Sequence, residues 1–415
     1  MAQEENIPSF EDIYEDARHA LELMKGKLHI TPIDFSRTLS NAVGANVYLK
    51  LENLQKTGSF KARGAFYKIH SLPPKQRKGV VAASAGNHAQ GVAWSASALG
   101  VPAVIVMPET APVSKVEATQ GYGAEVVLHG RVYDDAYRKA IQISEERGYT
   151  FIHPFDDPKV IAGQGTVMLE IAEQLKEKPD TIIVPVGGGG LISGVASVAR
   201  KLYGRDVRIV GVEPVYAAKF TESLKAGGPV TVRARPGIMD GLVTKKPGII
   251  TFELTRKLVD EIVTVGDQAV SKAIFLLLER AKMVAEGAGA AGVAGLLSGK
   301  VKVREGENVV VIVSGGNIDP TRLTKVLMYE LGRSGRIVKF EGVIPDEPGS
   351  LNRVLEIISS VRMNIVDITH DRFSALLEPG WAKVEVVVET PDKKRVEEVL
   401  YKLNGEGFPF RVTKY

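Results

Sequence analysis

A recurrence along the first 320 residues constrains this chain most. Eight short runs rich in Val and Ile lie at 47–52, 79–84, 103–108, 124–129, 181–187, 208–213, 261–266 and 308–316. Segments of helical periodicity separate them, among them 114–120, 133–147, 162–176, 191–203 and 267–285. The runs are apolar on successive residues, so as strands they bury both faces. Strands of that kind, spaced by helices, predict parallel α/β layers. In such sheets ligands sit beyond the carboxyl ends of the strands, where glycine-rich turns open helices.

The pattern changes near residue 335. From 336 to 415 the order reads strand, helix, strand, strand, helix, strand, a βαββαβ unit of the size of one small domain. Within "PDEPGSLNRV", Ser350 reads as a helix N-cap. "EPG" at 378–380 reads as a turn between paired strands. The segment has no phosphate loop and no clustered acid–base groups, so binding or assembly is its expected role. With 415 residues the chain exceeds what one core supports. The expected division is a catalytic domain over 1–335, with a small subdomain at about 50–155 inserted in a larger one, and a second domain over 336–415.

Composition narrows the class. Lys and Arg number 53 against 49 Asp and Glu, a net charge of +4, with no basic block, which argues against a nucleic-acid partner. There is no cysteine, hence no disulfide and no thiolate metal site. The stretch "MAQEENIPSFEDIYEDARHA" is acidic and amphipathic rather than a signal peptide, and no run is long and apolar enough to span a bilayer. The expected location is the cytoplasm. None of the seven histidines pairs at H-x-x-x-H spacing, so no metal is expected. No G-x-S-x-G elbow points to a hydrolase.

Three local motifs carry chemistry. In "VPVGGGGLISG" (184–194) four glycines follow a β-run and open a helix. Their backbone amides and the helix dipole make an anion site. No Lys-Ser/Thr follows, so the loop suits one phosphate and not a nucleotide with its magnesium. In "AASAGNHAQGVA" (82–93), Ser84, Ala85, Gly86, Asn87 and His88 lie at a helix mouth whose amides can hold a carboxylate. The third motif is Lys61 in "GSFKARGAF", which alone reads as a solvated charge beside Arg63. "EGAGAAG" (286–292) matches G-x-G-x-x-G but follows a helical run and not a strand, so it is a decoy for close helix packing. Glu286 at its start either faces a site or forms a salt bridge. Ser314 in "SGGN" ends a strand, at the ligand-binding edge. A phosphate cradle, a carboxylate turn and a lysine together suit a cofactor with one phosphate and an aldehyde, which is pyridoxal phosphate.

"KLENLQKTGSFKARGA", "SAGNHAQGVA", "VPVGGGGLISG" and "VSGGN" resemble the fold-type II (tryptophan synthase β-like) pyridoxal-phosphate enzymes, in particular the threonine/serine dehydratases, over about residues 15–330. "VIPDEPGSLNRVLEII" and "NIVDITHDR" resemble an ACT regulatory domain, a ferredoxin-like fold. The resemblance implies that Lys61 bonds to the cofactor aldehyde and that Phe60 packs on the ring. Gly187, Gly188, Gly189, Gly190 and Leu191 would hold the phosphate, Asn87 the phenolic oxygen, and Ser314 would face the pyridine nitrogen. Gly241 and Glu286 would line the cofactor, and residues 84–88 would bind the substrate carboxylate. It further implies elimination of water from L-threonine to give 2-oxobutanoate and ammonia, with serine as a secondary substrate. An amino-acid or nucleotide effector, a homodimer or homotetramer, and a part in isoleucine biosynthesis or threonine catabolism come with it.

Two departures from related serine racemases stand out. Ala85 replaces the second serine that serves as their acid–base on the opposite ring face, so little racemisation is expected. Lys219 in "VEPVYAAKF" stands where those racemases place a metal-binding carboxylate near Glu213, so an ammonium takes the ion's place. The alternatives are a threonine synthase-like enzyme, which needs further basic groups for a phosphorylated substrate, and a ligand sensor without chemistry, against which the intact Lys61 speaks.

Overall fold

The computed structural model describes residues 7–373 and 377–413. Two compact units divide the chain, Met1–Ile318 and Asp319–Tyr415. In the first unit, one sheet runs in the order Ile33–Phe35, Asn46–Leu51, Asn308–Val313, Thr181–Pro185, Arg208–Pro214, Glu261–Val265. Only the short first strand is antiparallel to its neighbour. A second, all-parallel sheet has the order Glu125–Leu128, Ala103–Met107, Val80–Ala83, Thr150–Phe151. Thr181–Pro185 and Ala103–Met107 are buried at every residue, as successive apolar residues require. All eight expected strands are present, and helix Tyr133–Arg147 has the expected bounds. The short strands Ile33–Phe35 and Thr150–Phe151 lack a run long enough to mark them.

The strand register positions the site. Asn46–Leu51 pairs with Asn308–Val313, Val47 opposite Val309, although some 260 residues separate them. Thr181–Pro185 flanks Asn308–Val313 on its other side. Because these strands are parallel, the turns after them (52–60, 186–190 and 314–317) emerge side by side at one edge.

Several helices differ from the periodicity. Asp157 caps Pro158–Gln174 through the amides of Lys159 and Val160, so this helix starts four residues before the periodicity. Phe10–Met24 is held by a Ser9–Asp12 capping box and buries Ile13, Ala17, Ala20 and Met24. The first six residues of that acidic stretch lie outside the described residues. The run toward Glu286 stops at Ala281, and a separate helix spans Gly287–Leu297. Its glycines do serve close packing: a Cβ at Gly289 would lie 2.1 Å from the Gly315 carbonyl oxygen. Among the described residues no helix is long and apolar enough to cross a membrane.

The second unit opens with helix Pro320–Arg333, capped by Asp319. The βαββαβ order follows, in an antiparallel sheet arranged Asn364–Asp371, Trp381–Glu389, Ile337–Pro345, Phe410–Thr413. Phe340, Ile344, Val384 and Val386 on one sheet face pack with Val354, Ile358, Val399 and Leu403 of helices Ser350–Ser360 and Lys393–Gly405. The N-cap of the first of these helices is Gly349 and not Ser350. The turn needs φ of +97° there, which only glycine adopts without strain, and Ser350 becomes the first helical residue.

Candidate active site

The turn before Lys61 is stitched to the "SGGN" turn. Phe60 N–H donates to the Ser314 carbonyl at 3.2 Å, Gly316 N–H donates to the Gly58 carbonyl at 2.9 Å, and Ser59 bridges Gly315. Gly58 has φ of +71°, and a Cβ there would strike Oδ1 of Asn317 at 2.3 Å. Lys61 then begins helix Lys61–His70. Its amine donates to the Pro154 carbonyl at 2.6 Å and lies 5.3 Å from the centroid of the half-buried Phe60 ring. Burial pushes the amine's pKa down to about 8. A free amine of that pKa is about one-tenth unprotonated at pH 7, against a trace for an exposed lysine. The cofactor-free protein should therefore react with a small aldehyde at Lys61 at a rate that rises with pH to a midpoint near 8. Mass spectrometry of the reductively trapped adduct across pH 6–11 checks this, and a midpoint near that of the other lysines contradicts it.

The glycine loop has no room for side chains. A Cβ at Gly188 would meet the Phe155 ring at 2.2 Å, and one at Gly190 would meet the Phe155 backbone at 3.1 Å. Gly189 has φ of +100°, and its Cβ would press on Phe220 at 2.5 Å. Gly189 is the N-cap of helix Gly190–Tyr203 with no side-chain cap, so the first-turn amides, that of the buried Leu191 among them, keep their capacity for an anion. Thr251 Oγ1 donates to the Gly188 carbonyl at 2.8 Å and fixes the loop's tilt. A cradle that only glycine fits, lined by amides, suits a phosphate.

Beneath this loop lies Lys219. Its fully buried ammonium donates to the carbonyls of Val186 at 2.8 Å and Leu242 at 3.3 Å and lies 3.2 Å from the Glu213 carboxylate. Glu213 also accepts the amides of Phe220 and Thr221. Among the described residues no group of three or more His, Asp or Glu gathers as a metal site.

The remaining residues close a circuit. Glu286 is buried, and its Oε1 accepts from Asn87 Nδ2 at 2.6 Å, which joins it to the turn at 84–88. Asn317 Nδ2 donates to Asn87 Oδ1 at 2.8 Å and to the Thr57 carbonyl at 2.7 Å. A Cβ at the exposed Gly241 would lie 4.0 Å from Glu286 Oε1, while one at Gly187 would lie 3.2 Å from the Gly241 carbonyl oxygen. Contacts therefore run from Lys61 through Pro154 and Phe155 to the glycine loop. Gly241 lies near both the loop and Glu286, and hydrogen bonds join Glu286 to Asn87, Asn87 to Asn317 and Asn317 to the turn at Thr57. Ser314 lies buried within the circuit.

The turn 84–88 opens helix Asn87–Ala98, which also has no side-chain cap. Ser84 Oγ accepts the Gly86 amide at 3.1 Å, and Ala85 is half-buried beside it. The buried His88 points away: its Nε2 meets the Ile152 carbonyl at 2.9 Å, and desolvation first, then Lys61, pushes its pKa down to about 3. His88 is thus neutral at ordinary pH, so the turn offers amides and not a second cation. Pro154, Phe155, Thr251 and Asn317 were not predicted. The only local signal for them was "HPFDDP" between a strand and a helix, and the asparagine of "SGGN".

Residues 25–315 match the family described as pyridoxal-phosphate dependent enzyme. The chain belongs to that family. Its cofactor is pyridoxal phosphate, and a glycine cradle beside a desolvated lysine fits both ends of that group. A Thermotoga maritima relative of this pyridoxal-phosphate enzyme, named L-threonine ammonia-lyase, is 47% identical over 400 residues, 96% of this chain and 99% of the relative. The processed form of tomato (Solanum lycopersicum) threonine deaminase isoform 2 has a similar structure, with a TM-score of 0.72 at 37% identity, covering 77% of this chain and 93% of that one. Maize serine racemase also scores 0.72, at 38% identity, covering 78% and 98%.

Proposed function

We propose that this enzyme removes water from L-threonine and yields 2-oxobutanoate and ammonia, with L-serine giving pyruvate as a secondary reaction. The closed circuit joining Lys61, the glycine cradle and the Asn87–Glu286 pair carries the reading, and relatives named for threonine ammonia-lysis support it. Bound there, the cofactor supplies an electron sink for the bond at the substrate Cα.

The chain's residues divide the remaining work. Gly187, Gly188, Gly189, Gly190 and Leu191 would hold the phosphate, Phe60 would flank the ring, and Asn87, positioned by Glu286 and Asn317, would hold the phenolic oxygen. Gly241 leaves the approach open. The amides of residues 84–88 take the substrate carboxylate. Lys61, with its lowered pKa, accepts the Cα proton as general base. Ser314 would meet the pyridine nitrogen with a hydroxyl, which would enforce its protonation less than a carboxylate and so would suit loss of the substrate β-hydroxyl as charge develops. Ala85 supplies no second acid–base, so the racemase likeness does not extend to this residue. A 2-oxo acid assay with threonine and with serine tests the reading. Turnover of neither, by protein that has taken up pyridoxal phosphate, would sink it.

In this reading Lys219 replaces a dissociable cation beneath the cradle. Lys219→Met leaves Glu213 buried and uncompensated, so stability should fall by about 3–5 kcal/mol. A chelator should leave the wild-type rate and melting temperature unchanged. Thermal melts with and without chelator read both, and a chelator-sensitive wild type contradicts the replacement.

Residues 336–415 are read as an ACT-like effector or assembly domain of a cytoplasmic homo-oligomer, on their ferredoxin-like strand order. Deleting them should leave the catalytic rate measurable but change the oligomer size or remove the response to branched-chain amino acids or AMP. Unchanged kinetics, effector response and sedimentation would remove this role.

A further inference from the structure

Behind Lys61 lies a buried charge cluster that the proposed reaction does not use. Arg63 is wholly buried and clasps two carboxylates at once. Its Nε and Nη2 donate to Glu52 at 2.7 and 2.8 Å, and its Nη1 and Nη2 donate to Glu170 at 2.5 and 2.9 Å. Lys50, also wholly buried, donates to Glu170 at 2.6 Å, to the Thr31 carbonyl at 2.7 Å and to Gln174 Oε1 at 2.9 Å. Two cations face two anions, so the cluster is neutral as a whole. Burial works against a charged guanidinium, yet the two carboxylates raise its pKa, and Arg63 stays ionised.

Stability alone does not account for such a cluster. Removing four charges from water costs several kcal/mol per ion, and apolar side chains of similar volume commonly serve a core as well or better. What the cluster adds is direction. A guanidinium fork accepts a carboxylate in one plane and one register. Arg63 follows Lys61 by two helical residues, a rotation of about 200° and a rise of about 3 Å. The two side chains thus leave opposite sides of one turn. Lys61 meets Pro154, and Arg63 meets the body of the unit. The same partner helix, Pro158–Gln174, grips this turn a second time: Gln164 Oε1 accepts the Gly64 amide at 3.2 Å, and a Cβ at Gly163 would lie 2.7 Å from the Gly64 Cα. The turn that precedes this helix supplies the Lys61 acceptor and the Phe155 wall of the cradle.

We propose that Arg63, held by Glu52, Glu170 and Lys50, is a positioning residue that sets the height and rotation of Lys61 relative to the glycine cradle. The inference rests on the reading of Lys61 as the cofactor-bonding amine. A misplacement of about 1 Å at a reacting group costs on the order of 100-fold, which makes such a clamp worth its burial.

Arg63→Lys keeps the charge and loses the fork. The cofactor-free variant is titrated with pyridoxal phosphate at a temperature at which its melt shows it folded, and the lysine-bound absorbance is followed. Its affinity should fall at least about tenfold, and the pH midpoint of Lys61 labelling should move from its wild-type value. Affinity within twofold of wild type, or a weaker affinity with an unmoved Lys61 midpoint, overturns the proposal. A fourfold variant, K50M/E52L/R63M/E170L, removes all the charges at similar volume. If it regains the wild-type melting temperature but remains at least tenfold weaker for the cofactor, stability and positioning are separated as proposed. Wild-type affinity in that variant overturns the proposal. Failure of the wild-type chain itself to bind pyridoxal phosphate at Lys61 would instead remove the underlying reading.

Discussion

Lys61→Ala is expected to abolish 2-oxo acid formation from threonine, by at least about 1,000-fold in kcat, and to remove the absorbance near the visible edge that a lysine-bound cofactor gives. The size follows from two losses at one atom. On the proposed reading the amine is both the covalent anchor for the aldehyde and the base for the Cα proton, and the other two buried lysine amines among the described residues are engaged elsewhere. Lys219 donates to Val186 and Leu242 beneath the loop, and Lys50 is locked in the Arg63 cluster. The neutral His88 is turned to the Ile152 carbonyl and does not substitute as an anchor. The Pro154 carbonyl loses the Lys61 donor, which is a small structural change, so the variant should stay folded. Circular dichroism, the absorbance spectrum and a coupled 2-oxo acid assay measure the three quantities. An alanine variant with more than about one-tenth of the wild-type rate would exclude Lys61 from both roles.

Gly189→Ala should weaken pyridoxal phosphate binding by on the order of 100-fold while leaving the free amine of Lys61 in place. Two costs add. A side chain in left-handed backbone costs about 1–2 kcal/mol, and Gly189 has φ of +100°. Crowding in a packed site costs about 1–3 kcal/mol more, and the added Cβ would come within 2.5 Å of Phe220 and 2.8 Å of Thr251. Thr251 holds the Gly188 carbonyl, so its displacement moves the cradle itself. The cofactor-free loop can relax to relieve this strain and binding must restore it, so their sum, about 3 kcal/mol, is lost from binding, about two decades of affinity. Gly228→Ala is the matched control, because nothing lies within 4 Å of a Cβ there and its φ is not in the left-handed range. Equilibrium titration of cofactor-free protein with pyridoxal phosphate compares the two, and equal affinities would mean that the glycine loop does not hold the phosphate.

The parts of the site that could be read in advance were those whose chemistry is written in consecutive residues. Four glycines between a strand and a helix announce a cradle because only glycine leaves amides unshielded there. Glu286 was different. Its neighbours could not say whether it met a cation or the site, since its partner Asn87 lies 199 residues away. Arg63 misled in the opposite way. Beside Lys61 it reads as a second surface charge, and it is instead wholly enclosed by carboxylates from residues 52 and 170. Pro154 and Phe155 carried little local signal, because one acts through its carbonyl and the other as a wall.

The amino-acid order alone determined the alternation of strands and helices, the parallel layers, the glycine cradle and the lysine as candidate amine. Those follow from period and backbone freedom, which are properties of neighbours along the chain. Tertiary structure alone decided which carbonyl receives Lys61, that His88 turns away from the carboxylate turn, and that Arg63 and Lys219 are interior charges. Each of these depends on desolvation and on partners brought from distant segments by the pairing of residues 46–51 with 308–313, and no local pattern encodes the company a side chain will keep.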